Sequence, residues 1–137
     1  MPRSLAFKLA EISRHIYYDS ANDDIVVSKE LASSRRKSGS ITTNNTSIET
    51  LDTYSISSYT TARYIVSIVQ GSNYHSTEIV ISHNGTTADI LEYGTLTSGS
   101  DLATFSADID SGNARLRITP ASSTSTVFKF DRQLVES

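Results

Sequence analysis

The residues here with the widest chemical repertoire are three histidines, at positions 15, 75 and 83. A metal or hydrolytic site needs several ligands, or an acid and a base, converging on one point. His75 and His83 flank a single apolar run, and eight extended residues at roughly 3.3 Å each hold their ends about 26 Å apart. They cannot share an ion within one chain. Each therefore reads as a polar surface or hairpin residue, with His75 also a candidate for ligand or interface contact. Asp108 and Asp110, in Asp108-Ile109-Asp110-Ser111-Gly112-Asn113, resemble the opening of a calcium loop. The bidentate glutamate that closes such a loop is missing, so an acidic β-turn explains the run better. Serines abound, yet there is no G-x-S-x-G and no G-x-x-x-x-G-K-[ST] phosphate cradle. With no cysteine, thiol nucleophiles, Cys-ligated zinc and disulfides are excluded together. These residues predict a chain without catalytic residues, metal or cofactor, and not an enzyme.

Binding chemistry has two candidates. Arg35, Arg36 and Lys37 form a basic cluster inside Ser33-Ser34-Arg35-Arg36-Lys37-Ser38-Gly39-Ser40, a polar stretch that reads as a linker or docking strap. Three charges on a chain of pI near 5.5 make a small footprint for nucleic acid, so no nucleic-acid partner is expected. The functional reading is docking onto an acidic neighbour, such as the acidic part of an adjacent copy. Seven tyrosines and no tryptophan form the second candidate, because Tyr stacks on sugars and is enriched at interfaces. Tyr64 is expected in the core, Tyr17 and Tyr18 in assembly contacts, and Tyr59 and Tyr74, near turns, in contact with a ligand or an interface. Tyr54 and Tyr93 are further candidates for such contact, and the plainer reading of ordinary strand tyrosines covers most of this set.

The elements that must position these residues follow from composition and period. The chain has 137 residues, enough for one domain with a short appendage. Hydrophobic residues are 37% and charged residues 20%, and 24 Ser with 16 Thr take up the difference. These hydroxyls are interleaved with Ile, Val, Leu and Tyr, and the net charge is only -3, so a folded β-rich domain is expected instead of a disordered one. Residues 1–37 carry seven Lys/Arg and five Asp/Glu, whereas residues 38–137 carry five and ten. The two parts differ in kind, which places a boundary near residue 40: an arm and basic linker over 1–40 and a β-domain over 41–137.

Beyond that boundary the period is two. Tyr64, Val66 and Ile68 alternate with Ile65, Ser67 and Val69, and turn signals at Gly71-Ser72-Asn73, Asn84-Gly85, Ser98-Gly99-Ser100 and Asp110-Ser111-Gly112-Asn113 separate such runs. Pro120 ends the run Ala114 to Thr119, because it cannot donate to a ladder. About seven strands result, from Ile48–Tyr54 to a last run over Thr126–Leu134. The predicted fold is an all-β antiparallel sandwich, jelly-roll or immunoglobulin-like, since no helices are available as parallel crossovers. In the arm, Leu5, Leu9, Ile12 and Ile16 fit a short helix, and His15 to Val27 fits a hairpin around Ser20-Ala21-Asn22-Asp23. No run is long and apolar enough for a membrane span, and Met1-Pro2-Arg3-Ser4 opens no signal peptide, so synthesis in a cytoplasm is expected.

Several pieces, in order, carry a resemblance: Ala62-Arg63-Tyr64-Ile65-Val66-Ser67-Ile68, His75 to Ala88 with His83-Asn84-Gly85-Thr86, Gly94-Thr95-Leu96, Leu102 to Ile109, Gly112 to Pro120, and Ser125-Thr126-Val127-Phe128-Lys129. Together they cover about two-thirds of the chain. They resemble a β-domain that recurs in virion proteins of tailed bacteriophages, especially marine and cyanobacterial ones, often in tail-fibre chains. The resemblance implies a non-enzymatic structural protein of the virion, in the tail, baseplate or fibre region, anchored through residues 1–40. It also implies other virion proteins as partners and a homo-oligomer, with a trimer favoured. A head decoration protein strapping capsid subunits is the near alternative. A module binding host-surface polysaccharide through its tyrosines is the alternative of a different class.

Overall fold

The computed structural model describes residues 16–21, 23–27 and 34–137, and the candidate helix over Leu5, Leu9 and Ile12, like His15, lies outside them. Among the described residues every regular element is a strand. A hairpin of β1 (Ile16–Asp19) and β2 (Asp24–Val27) comes first, as the arm's sequence predicts. Then follow β3 (Ser34–Thr43), β4 (Glu49–Ser55), β5 (Tyr59–Gln70), β6 (Asn73–His83) and β7 (Ala88–Thr97). The set closes with β8 (Ala103–Asp110), β9 (Asn113–Pro120) and β10 (Thr126–Glu136). Strands β4 to β10 are the seven that the alternation predicts.

All pairings are antiparallel, in a large sheet of order β1-β2-β3-β10-β5-β6-β7 and a small one of order β4-β9-β8. The inward rows of β5, β6 and β10, namely Tyr64, Val66, Ile68, Ile79, Ile81, Phe128, Phe130 and Leu134, pack against Leu51, Tyr54, Leu116 and Ile118 of the small sheet. Burying each large apolar side chain is worth about 1.5–3 kcal/mol, so the two sheets are held face to face by this layer. Turn chemistry fixes the register. At Ser111 and Gly112 both φ values are positive (50° and 80°), the two-residue hairpin that joins Asp110 to Asn113. Between β6 and β7 the loop is longer, and the Asn84 side chain accepts the N–H groups of Thr86 (2.9 Å) and Thr87 (2.8 Å).

Strand β3 departs from the sequence expectation. The stretch read as a linker, with a boundary placed at residue 40, runs as one continuous strand paired with β10 from Arg35↔Leu134 to Thr43↔Thr126. The physical reason lies at Gly39, which faces Phe130 across the ladder. A Cβ there would run into the Phe130 ring, so the aromatic side chain supplies the apolar mass that the strand's own residues lack. Gly39→Ala is expected to lower stability by about 1–3 kcal/mol, the usual cost of overpacking. The measurement is the urea midpoint at unchanged slope. An unchanged midpoint would mean that the Phe130 ring steps aside freely.

Candidate functional site

His75 and His83 are held apart, each by backbone. His75 is buried on the inner side of β6, where Nδ1 accepts the N–H of Leu102 (3.1 Å) and the ring meets Phe105 edge-on at 6.1 Å. This corrects its reading as a surface residue, because the strand's alternation turns residue 75 inward with Thr77 and Ile79. With Nδ1 an acceptor, the neutral ring carries its proton on Nε2, which lies 3.7 Å from the Glu92 carboxylate. His83 Nε2–H donates to the carbonyl of Tyr59 (2.6 Å), and its Nδ1 accepts the N–H of Gly85 (3.2 Å). Among the described residues no three His, Asp or Glu converge on a point that could hold a metal. Asp108 takes both Nε–H (2.6 Å) and an Nη–H (2.7 Å) of Arg115 and a further Nη–H of Arg117 (3.1 Å). The Arg115 hydrogen bonds hold the Asp108 carboxyl below its usual range. Asp110 accepts from Arg115 as well (3.2 Å), so the acidic turn is neutralised within the chain.

The basic cluster is likewise engaged within the chain. Successive residues of β3 alternate faces, so Arg35 and Lys37 face opposite to Arg36. Arg35 pairs with Asp19 of β1 and stands 5.5 Å from the centre of the Tyr59 ring, Arg36 pairs with Asp131 of β10 (2.6 Å), and Lys37 reaches Asp52 of β4 (3.3 Å). Tyr59, expected near the surface, is buried beneath Arg35, because the register shift opposite Val135 and Glu136 leaves Thr60 out of the ladder and turns Tyr59 inward, out of phase with the row that starts at Ala62. Tyr74 remains half exposed at the start of β6. Tyr18 is exposed and donates its hydroxyl to Asp23 (2.6 Å), and Tyr17 pairs through its backbone with Val26.

A buried polar cluster between the sheets was not singled out from the sequence. Arg132 of β10, 2% exposed, donates to Asp52 (2.7 Å) and to the Thr53 carbonyl (3.2 Å), and the Tyr64 hydroxyl donates to the same Asp52 carboxylate (3.0 Å). A register shift between Thr50 and Asp52 turns Leu51 and Asp52 inward together. The signal for Arg132 was in its period: it falls on the row Phe128, Phe130, Arg132, Leu134, every second residue and otherwise apolar.

The outer faces of the two sheets differ. The small sheet shows Thr53, Thr104, Ser106, Asp108, Arg115 and Arg117. On the large sheet, the ladders place Ile65, Val69, Tyr74, Leu91, Tyr93, Leu96 and Val135 on one outer face, and these are seven of the nine exposed large hydrophobics among the described residues. Between them a hollow of about 110 Å³ is lined by Arg36, Arg63, Ile65, Asp131 and Gln133. Arg63 pairs with Glu78 (2.6 Å) beside it. A soluble surface that concentrates its apolar side chains on one face marks that face for contact.

No protein-family model and no curated protein matches the chain. Among solved structures it is similar to the tailspike protein of Acinetobacter baumannii phage AM24, at 7% identity and TM-score 0.46 over 76% of this chain and 27% of that one. It is also similar to the tailspike of Acinetobacter phage vB_ApiP_P1, at 18% identity and TM-score 0.41 over 81% and 23% of the two chains. A third is the tailspike gp49 of Acinetobacter baumannii bacteriophage Fri1, at 9% identity and TM-score 0.40 over 97% and 22%. The chain thus spans about a quarter of the length of each. The Fri1 protein is described as a capsular polysaccharide depolymerase, which is an enzyme. On that finding the expectation that the chain is not an enzyme is corrected and withdrawn.

Proposed function

We propose that this chain is a bacteriophage virion protein of the tail region, in tail, baseplate or fibre, which enters the particle by having the outer face of its large sheet covered by neighbours. The observation that carries the reading is the one-sided surface: seven exposed apolar side chains on the large sheet against a polar, ion-paired face on the small one. A free-standing domain gains nothing from that asymmetry, whereas a subunit buries it on assembly. The ordered run of sequence pieces resembling a virion β-domain supports the setting. Self-association, with three copies favoured, belongs to the same reading, as does anchoring through residues 1–40.

The test is immunogold labelling of intact particles of the phage that encodes the chain, with the native mass of the purified chain measured alongside. Gold on the tail and a multimeric mass are expected. Label confined to the head would replace the reading with head decoration, and unlabelled particles would overturn it.

A further inference from the structure

Strand β7 is the edge of the large sheet, ten residues long, with Leu91 61%, Tyr93 37% and Leu96 68% exposed. An edge presents unpaired N–H and C=O groups, a template for another extended segment unless something blunts it. The register shift opposite Ser76 and Glu78, with Gly94 at φ 65°, interrupts the ladder late in the strand, and Ala88 to Tyr93 remain regular. Charge narrows the choice of occupant. Between Arg63 and Arg115 the sequence has no Lys or Arg and six Asp/Glu, two of them, Asp89 and Glu92, in β7 itself. Pairing β7 with the β7 of a second copy would bring these acids together with no cation between them. Residues 1–15 have the opposite sign: Arg3, Lys8 and Arg14 stand against Glu11, and Leu5, Phe7 and Leu9 recur at every second residue. The segment whose Leu5, Leu9 and Ile12 fit a helix thus also puts apolar groups on one side when extended, the form that an open strand edge selects.

We infer that residues 3–14 of a neighbouring copy dock along β7, with Leu5, Phe7 and Leu9 against Leu91 and Tyr93 and Arg3 towards Asp89 on the outer face, and Lys8 and Arg14 on the opposite face, where Glu92 lies. The inference rests on the reading of the chain as an assembling subunit and names the contact. A chain cannot do this to itself in the same alignment. Residue 16 begins β1 at the far edge, six strands from β7, and at about 4.8 Å per strand the crossing is roughly 29 Å. About nine residues, 7–15, are consumed on the way at roughly 3.3 Å each, so only residues 3–6 would be left to lie along β7.

The absence of cysteine makes the test direct. Full-length chain carrying Phe7→Cys, isotopically labelled, is mixed with unlabelled full-length chain carrying Leu91→Cys and oxidised gently, and the disulfide-linked pairs are weighed. The mixed pair is expected in several-fold excess over either like pair. That excess should fall towards the random ratio when Arg3, Lys8 and Arg14 are all replaced by Gln, or at about 1 M salt, where the screening length is about 3 Å. Predominant Leu91→Cys self-pairs would mean that β7 meets its own copy, and a bond formed within one molecule of the doubly substituted chain at high dilution would mean that the arm folds back. Either result, or no bond at all, overturns the inference. Gold-labelled tails without the mixed pair would sink the docking alone, whereas the mixed pair with unlabelled particles would sink the virion reading alone.

Discussion

Asp52→Ala is expected to cost about 3–5 kcal/mol, because it leaves the guanidinium of Arg132 buried between the sheets without its carboxylate. The Thr53 carbonyl remains as an acceptor but carries no full charge, and Lys37, which shares Asp52, would become a second cation facing the same space. At about 4 °C per kcal/mol for a domain of this size, the melting temperature should fall by roughly 12–20 °C. Removing both charges behaves differently. The inward row of β10 is otherwise Phe128, Phe130 and Leu134, so Arg132→Met with Asp52→Leu replaces the pair by apolar groups of similar size. That double variant is expected to recover part of the loss, because Arg132 no longer leaves a buried charge behind, while Lys37 and the Tyr64 hydroxyl still lose the Asp52 carboxylate. Two thermal unfolding curves decide it. A single variant that melts within a few degrees of the parent would mean that water reaches Arg132 and that the pair does not couple the sheets.

The legible part of the fold was the part where apolar residues occupy every second position. Tyr64, Val66 and Ile68, or Leu116 and Ile118, need no partner to announce an inward row, and strands β4 to β10 follow from such runs. Strand β3 was hidden because its inward positions are Lys37, Gly39 and Ile41, and what fills the space over Gly39 is a ring ninety-one residues later. His75 was misplaced because nearness to a turn suggests exposure, whereas the phase set by Ile79 farther along the strand decides, and Tyr59 was misplaced because a bulge at Thr60, which no period shows, turns it inward out of phase with Ala62. The candidate docking face was invisible in another way. Ile65 and Leu91 sit at outward positions of their strands, and Leu96, five residues after Leu91, joins their face only through the register shift opposite Ser76 and Glu78, which no period shows. Arg132 alone could have been read from its period, as the one charge on an apolar row.

Alkaline pH should unfold the protein through two tyrosines. Burial pushes the Tyr54 hydroxyl up to about 12, with the positive charge of Arg132 partly opposing and Asp52 adding to the rise. Burial also raises Tyr64 well above its usual value, and the neighbouring Asp52 carboxylate raises it further. A phenol whose folded value is raised keeps its proton longer in the folded than in the unfolded chain. The folded state therefore binds more protons above about pH 10, and stability falls with pH there. Below about pH 10 this contribution is fully present, and it is lost as pH rises towards 12. For Tyr54 alone two pH units correspond to on the order of 2–3 kcal/mol. The share of the phenolate absorbance that belongs to Tyr54 and Tyr64 should thus rise together with the loss of strand circular dichroism. The two tyrosines separate by substitution. The Tyr54 hydroxyl is buried with no hydrogen-bond partner, so Tyr54→Phe should leave neutral stability unchanged or raised and move the alkaline midpoint upward. Tyr64→Phe removes a donor from Asp52 and should cost about 1–3 kcal/mol at neutral pH while also delaying alkaline unfolding. If Tyr54→Phe leaves the alkaline midpoint where it was, Tyr54 ionises in the folded state, and the space between the sheets is open to solvent at that end.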